Sequence, residues 1–178
     1  SPVWDTGLAA HAVLETLGGN TLLLNKSCDW LSKLQIKEHT GDWGWRRKGL
    51  RPGGWAFQYN NKFYPDVDDT AVVGMALHRQ NPEKYADTIS RAEEWIIGMQ
   101  SSNGGWAAFD ADNEYYLLEN LPFADHRALL DPPTADVTAR CISFLTQIGT
   151  SNNHPISRGP EFLKRNQEED GSWFGRWG

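Results

Sequence analysis

Three aspartates that stand close together are the residues of this sequence best suited to chemistry. They are Asp66, Asp68 and Asp69, and only Val67 separates them. Carboxyl groups this close cannot all ionise in a site that excludes water, so one of them keeps its proton. A carboxylic acid that stays protonated is a proton donor. The tetrapeptide therefore predicts a Brønsted acid.

Two other interpretations fit the same tetrapeptide. Acidic residues also gather at helix N-termini because the helix dipole favours negative charge there. Clustered aspartates also bind Mg²⁺ through substrate phosphates, but no Gly-rich phosphate loop or basic cluster accompanies these residues. The five histidines and two cysteines show no metal-ligand spacing. We therefore expect no metal and no cofactor, and the acidic helix start stays open as an alternative.

Aromatic side chains are the second chemical feature of the chain. Nine Trp, seven Phe and five Tyr are too many to remain in water. Many fall near the openings or turns of a repeat, namely Trp4, Trp55, Phe57, Phe63, Tyr64, Trp106, Phe109, Trp173 and Trp177. An acid that faces an aromatic cavity suits carbocation chemistry, since the acid protonates an alkene and the π-faces stabilise the cations.

An internal repeat must position the aspartates and the aromatics. Each copy has an aromatic and an aliphatic residue, then a Gln, then a Gly-containing turn that ends in Trp, and the copies recur roughly every 65 residues. The glutamines are Gln35, Gln100 and Gln167, and the turns are 41–43, 104–106 and 171–173. A second anchor, Asp5, Asp69 or Asp136, opens the apolar run of each copy. We expect each anchor to be a helix N-cap, because its carboxylate can accept from free N–H groups there.

Each copy predicts two helices, the first apolar on nearly every side and the second amphipathic. In the middle copy the apolar positions of the second helix are Tyr85, Ile89, Ala92, Ile96 and Met99. We expect an all-α fold, an α/α toroid of inner and outer helices, with a straight solenoid as the alternative. The aromatic stretch 55–64 is the one candidate for a short hairpin. We expect one partial α/α-barrel domain over 1–178, with repeat units of approximately 1–65, 66–131 and 132–178.

The composition excludes several classes of partner and location. A net charge of −6 argues against nucleic acid, because phosphate binding needs clustered Lys and Arg. The longest apolar runs fall far short of the ~20 residues that cross a bilayer, so we expect no transmembrane segment. Two cysteines cannot make a disulfide framework.

Residues 1–6, 64–71 and 171–178 resemble bacterial squalene–hopene cyclase, a class II triterpene cyclase, and the Gln-to-Trp repeats resemble the QW motifs of that family. The resemblance covers essentially the whole chain, as a central fragment of a longer enzyme. It implies about three helix pairs of an (α/α)6 barrel. It also implies that the full-length enzyme is monotopic, on the cytoplasmic face of the bacterial inner membrane, and needs no metal or cofactor.

The resemblance also implies residue roles and a reaction. The family's DxDD motif protonates the terminal alkene of squalene through its middle Asp, which is Asp68 here, with Asp66 and Asp69 as hydrogen-bonded supports. The implied activity is proton-initiated cyclisation of squalene to pentacyclic hopanoids, hopene or hopanol. A DxDD cyclase for another polyprenyl substrate and a non-catalytic α/α-toroid scaffold stay open. Family positions that line the substrate cavity fall on Trp4, Phe57, Tyr64, Phe109 and Trp177.

Two positions depart from well-known members of the family. Arg140 stands where they carry a His beside the catalytic acid. An Arg near Asp68 would favour its carboxylate form and lower its pKa, so we expect Arg140 to pair with another carboxylate. Phe109 stands where some members carry a Tyr, which keeps the π-face without the hydroxyl and favours a different product distribution. We expect the 178-residue fragment to be inactive alone and to self-associate through exposed inner helices.

Overall fold

The computed structural model describes residues 1–17, 21–113, 130–151 and 153–175, and every structural statement below refers to these residues. This part of the chain is helical with one two-stranded sheet, so the expectation of an all-α fold is confirmed. The elements are α1 (Pro2–Leu17), α2 (Leu22–Lys33), α3 (Trp43–Arg46), β1 (Trp55–Ala56), β2 (Pro65–Asp66), α4 (Val67–Gln80), α5 (Ala86–Gly98), α6 (Ala135–Gln147) and α7 (Asn153–Arg165).

Three inner helices lie side by side, with α4 in contact with α1 and with α6. Each inner helix also contacts an outer helix, in the pairs α1–α2, α4–α5 and α6–α7. Glycines permit the close approach of the inner helices. A Cβ at Gly7 would lie 3.2 Å from Val72 Cγ1, and one at Gly74 would lie 2.6 Å from Phe144 Cε2.

The outer helix of the middle pair is amphipathic as its spacing predicts. All five apolar positions are buried, although the first and last of them cap α5 rather than lie within it; they are Tyr85, Ile89, Ala92, Ile96 and Met99. Among the described residues, none of the helices combines the length and the apolar character that crossing a bilayer requires.

Two glutamines, Gln35 and Gln100, connect one outer helix to the next. The amide of Gln35 donates to the carbonyl of Gly53 in its own turn and to that of Thr88 at the start of α5, both at 2.8 Å. Gln100 repeats the pattern: its amide donates to the carbonyl of Gly104 in its own turn at 2.8 Å and to that of Pro155 in α7 at 3.1 Å. The described bond of Gln167 reaches only its own turn, at 2.8 Å. These bonds fix neighbouring helix pairs relative to each other.

The tryptophan that closes the first turn differs from the one that the repeat pattern predicts. Trp43 donates its indole N–H to the nearby Thr40 carbonyl instead of to an outer helix. An insertion within 36–52 lies between Gln35 and the true turn, Gly53-Gly54-Trp55, so the predicted turn at 41–43 is wrong. The equivalent indoles are those of Trp55, Trp106 and Trp173, which donate to the carbonyls of Leu31, Ile96 and Leu163 at 2.7, 2.7 and 2.8 Å.

Candidate active site

The acidic tetrapeptide lies where the hairpin ends and α4 begins. Strands β1 and β2 pair antiparallel, with Trp55 opposite Asp66. A hairpin is therefore present where one is predicted, although its second strand lies just beyond the predicted stretch 55–64. Asp66 is the N-cap of α4, and its Oδ1 accepts the N–H groups of Asp68 at 2.7 Å and Asp69 at 3.2 Å. Thr70 Oγ1 donates to the Asp66 carbonyl at 2.6 Å. The start of α4 is thus held by the side-chain hydrogen bonds of Asp66 and Thr70 as well as by the pairing of β1 with β2.

The anchors predicted as N-caps do not hold that position. Asp69 lies in the first turn of α4, Asp5 lies inside α1, and Asp136 follows the N-cap Thr134 of α6. Asp66 and Thr134 are the equivalent caps, so Asp136 corresponds to Asp68 and not to Asp69. The predicted alignment is wrong by one residue because the helix dipole favours an Asp in the first turn as well as at the cap.

The equivalence of the two helix starts has independent support from their hydroxyl groups. Thr70 Oγ1 accepts the backbone N–H of Trp55 at 2.9 Å, and Thr138 Oγ1 accepts that of Trp106 at 3.0 Å. Asp136 is thereby a further carboxylate near the site, which the sequence suggested as a repeat anchor and as one of the carboxylates other than Asp68 that could pair with Arg140. The signal that could have revealed it is the Thr that stands two residues after each Asp, Thr70 after Asp68 and Thr138 after Asp136.

The side chain of Asp68 is directly paired with an arginine. Arg140 Nε donates to Asp68 Oδ1 at 2.5 Å, and the Asp68 side chain is only 13% exposed. The prediction that Arg140 pairs with another carboxylate is therefore wrong. Its Nη2 is 4.0 Å from Asp136 Oδ2, too far for a hydrogen bond. The guanidinium carbon also lies 5.6 Å from the centre of the Trp4 ring, which holds Arg140 between the acid and an aromatic face.

Burial raises the pKa of all three motif carboxyls above the ordinary 3.8. The pKa of Asp69 rises to about 7, first because of burial and then because of the charge of Asp68. Burial and the charge of Asp69 raise the pKa of Asp66 further than its two N–H bonds lower it. For Asp68, burial outweighs the opposing Arg140, so its pKa also stays raised. The site can therefore hold a proton despite the arginine.

A cavity of about 280 Å³ lies over the three aspartates. It is lined by three of the predicted aromatics, by the motif and by Arg140, that is, by Trp4, Phe57, Asp66, Asp68, Asp69, Ala108, Phe109 and Arg140. Tyr64 lines an adjoining cavity, also of about 280 Å³, together with Phe57 and Phe109. Trp177 lies outside the described residues. The structure thus brings four of the five predicted lining residues to one connected region.

The three motif carboxylates are not hydrogen-bonded to one another through their side chains in any described bond. Asp66 supports Asp68 through the backbone N–H of Asp68, and Asp69 Oδ1 is buried without a hydrogen-bond partner. The expectation of two hydrogen-bonded supports for Asp68 is thus met only by Asp66, and indirectly. Within the part of the chain that the structure describes, no group of three or more His, Cys, Asp or Glu residues is arranged to hold a metal ion.

The chain matches a protein family over its whole length. The family described as the squalene-hopene cyclase C-terminal domain matches residues 1–178. A squalene–hopene cyclase of Zymomonas mobilis is 55% identical and one of Schizosaccharomyces japonicus is 54% identical, each over 100% of this chain and 28% of the relative. A dammaradiene synthase of Dryopteris crassirhizoma is 41% identical over 100% of the chain and 28% of its own length. The chain, an α/α-toroid segment that spans less than a third of these relatives, belongs to the squalene-hopene cyclase family.

Proposed function

We propose that these residues form the acid-bearing part of a class II triterpene cyclase, and that Asp68 protonates the terminal alkene of squalene. One observation carries the proposal: a buried carboxyl with a raised pKa faces a cavity lined by Trp4, Phe57 and Phe109. Protonation of an alkene needs an acid that is held neutral until substrate arrives, and the cation that forms needs π-faces rather than water. Both requirements meet in this cavity.

The arginine strengthens the acid rather than disabling it. Arg140 Nε donates to Oδ1 of Asp68, and that oxygen can accept as the carbonyl oxygen of a neutral acid while Oδ2 carries the proton. When the proton leaves Oδ2, the guanidinium stabilises the carboxylate that remains. Burial keeps the proton on Asp68 before the reaction, and Arg140 lowers the cost of releasing it. The opposing effects of burial and of Arg140 on the Asp68 carboxyl thus take the place of the His that well-known family members carry beside the acid.

The finer parts of the proposal follow the family resemblance. Tyr64 and Trp177 complete the aromatic lining, Asp66 holds the start of α4, and Asp69 keeps a second buried carboxyl beside the acid. The product is a pentacyclic hopanoid, hopene or hopanol, and the full-length enzyme works at the cytoplasmic face of the inner membrane. The 178 residues act there as one partial α/α-barrel domain of a longer polypeptide.

A second candidate is a cyclase of the same motif that uses another polyprenyl substrate or ends at another product. It is favoured by the relative named as a dammaradiene synthase and by Phe109, whose ring has no hydroxyl to direct the last cation. A non-catalytic toroid scaffold is the candidate from a different class, because the Arg140–Asp68 ion pair alone would also suit a structural role.

The test is to incubate the complete polypeptide that contains these residues with squalene in D₂O and to analyse the products by mass spectrometry. We expect cyclic triterpenes that carry one deuterium at the carbon protonated first. Conversion of a different polyprene with the same labelling would support the second candidate. Absence of any cyclic product from squalene and other polyprenes would overturn the proposal in favour of the scaffold.

A further inference from the structure

A buried carboxylate outside the acidic motif holds the turn that carries Phe109. The segment after α5 lies antiparallel to the segment before α6, with bridges between Trp106 and Thr134 and between Asn113 and Asp131. Asp131 is only 7% exposed. Its carboxylate accepts the N–H groups of three successive residues, at 3.3, 2.5 and 2.8 Å, from Ala108, Phe109 and Asp110.

Three successive N–H groups on one carboxylate fix the turn in a single conformation, because the turn cannot rotate without breaking several charge-assisted bonds. Ala108 and Phe109 both line the cavity over Asp68. The carbonyl of Ala108 accepts the N–H of Val67, inside the acidic motif, at 2.7 Å. One side chain, Asp131, therefore connects an aromatic wall of the cavity to the start of the helix that carries the acid.

The donors at this position require an anion. All three groups that face Asp131 are N–H donors, so an amide would turn its NH₂ group against one of them, and a neutral acid would present an O–H in the same place. Burial raises the pKa of the Asp131 carboxyl, and the three N–H bonds that it accepts offset only part of that rise. The roles assigned to Asp66, Asp68 and Asp69 do not account for the buried charge of Asp131 at this turn beside the cavity.

We propose that Asp131 is a positioning residue that sets the Phe109 ring relative to Asp68 and so determines how far cyclisation proceeds before the cation is lost. The proposal rests on the proposed function of the cavity. Asp131 acts through Phe109 and through Val67, and it does not touch the substrate. Displacement of the ring by a fraction of an ångström weakens its contact with the cation while the acid stays intact, so reactions begin but end early.

The test compares Asp131→Asn with the control Asp112→Asn in the complete enzyme, with squalene as substrate. Asp112 is a matched carboxylate because it lies in the same segment after α5 as Phe109 and accepts a backbone N–H, that of Ser102, at 2.6 Å. It lines no part of the cavity over Asp68. We expect Asp131→Asn to lower kcat by about 10–100-fold with little change in KM. We also expect a larger share of prematurely terminated, partly cyclised products. Asp112→Asn should keep the product distribution of the parent enzyme.

A folded Asp131→Asn enzyme with the parent's kcat and product distribution would overturn the inference. If Asp131→Asn does not fold, Asp131→Glu carries the same test, since it keeps the charge and moves it by one methylene. A parent-like product distribution from folded Asp131→Glu would then overturn the inference as well. If the unsubstituted enzyme converts no polyprene, the proposed function itself is wrong. The activity of the unsubstituted protein therefore distinguishes failure of the proposed function from failure of the inference about Asp131.

Discussion

The ion pair between Asp68 and Arg140 places a fixed cation against the carboxyl group that we propose as the acid. The pKa of Asp68 is raised by burial and lowered by the guanidinium, with burial the larger effect. In the proposed mechanism Asp68 acts in its protonated form, so we expect activity to be lost as the pH rises through its pKa. Arg140 carries a permanent charge, and the alkaline limb of the pH profile therefore belongs to the carboxyl group and not to its partner.

Replacement of Arg140 with Gln should lower the rate of cyclisation and extend activity to higher pH. Without the guanidinium the pKa of Asp68 rises further, so the alkaline limb of kcat/KM moves to higher pH. The acid is then weaker, and the pH-independent rate falls by about 10-fold or more. The control is Arg158→Gln, which removes an arginine bonded to the carbonyls of Ser101 and Ser102. Unchanged profiles for both variants would contradict the assigned role of Arg140.

Asp69 contributes a pH-dependent penalty to stability. Its pKa in the folded protein is about 7 against an ordinary 3.8, so the folded state binds more protons between about pH 4 and pH 7. The stabilising effect of the bound proton is fully present below about pH 4 and is lost as the pH rises through 7. Asp69→Asn removes the charge. We expect the variant to be more stable by about 1 kcal/mol or more at pH 8, and by little at pH 4.

Thermal unfolding of the complete protein across this pH range checks the prediction. We expect the variant to have a higher Tm than the parent protein at pH 8 and nearly the same Tm at pH 4. If Asp69 supports the acid, the same variant should also lose activity. A buried charge that lowers stability is often one that the active site needs. A difference in Tm that is the same at pH 4 and pH 8 would show that the carboxyl is not titrating as described.

Among the elements, the glutamines at the ends of the outer helices carry much of the connection between helix pairs. Gln35 is 6% exposed and binds two carbonyls on two elements. Gln167 binds one carbonyl in an exposed turn. We expect Gln35→Ala to lower the free energy of unfolding by about 2–3 kcal/mol, since two buried carbonyls lose their donors. The matched variant Gln167→Ala should cost about 0.5–1 kcal/mol.

Denaturant unfolding of both variants in the complete protein measures this difference. Equal losses from Gln35→Ala and Gln167→Ala would mean that the bond between successive outer helices adds nothing to the bond within the turn. The comparison separates the two bonds because the residue type and the removed atoms are the same.

The sequence was sufficient to predict the helix pairs, the hairpin and the acidic helix start, because each rests on local spacing. It was insufficient at the first turn, because the insertion within 36–52 carries two tryptophans of its own, Trp43 and Trp45, and Trp43 matches the pattern as well as Trp55 does. The cap of α4 was also misassigned, since Asp66 and Asp69 are both suited to a helix start and only the bonds to Asp66 distinguish them.

Contacts between distant segments were the other limit. Arg140 and Asp68 are far apart in sequence, and charge reasoning alone favoured keeping them apart because an arginine lowers the pKa of a carboxyl. Burial, which a sequence does not reveal residue by residue, reverses the net effect. Asp131 gave no sequence signal, because its three bonds are to backbone N–H groups of a separate segment.

For the whole molecule, we expect the 178 residues alone to bind squalene too poorly for cyclisation. The chain spans 28% of the length of its relatives, and a site that cyclises squalene must keep water away from the cations that form. Large apolar side chains on α1 and α2 are exposed, including Leu8, Leu17, Leu22 and Leu23, which favours self-association. Light scattering and product analysis check both points. Turnover by a monomeric 178-residue chain would contradict them.

The central claim, that Asp68 is the acid, is tested most directly by Asp68→Asn in the complete enzyme with squalene as substrate, beside Asp66→Asn. The amide keeps the shape of the side chain and can still accept from Arg140, but it has no proton to transfer. We expect turnover to fall by about 10²–10⁴-fold with no loss of folded protein. Asp66→Asn keeps the oxygen that caps α4 and should lose less. Turnover by Asp68→Asn close to that of the parent enzyme, with Asp66→Asn inactive, would contradict the account.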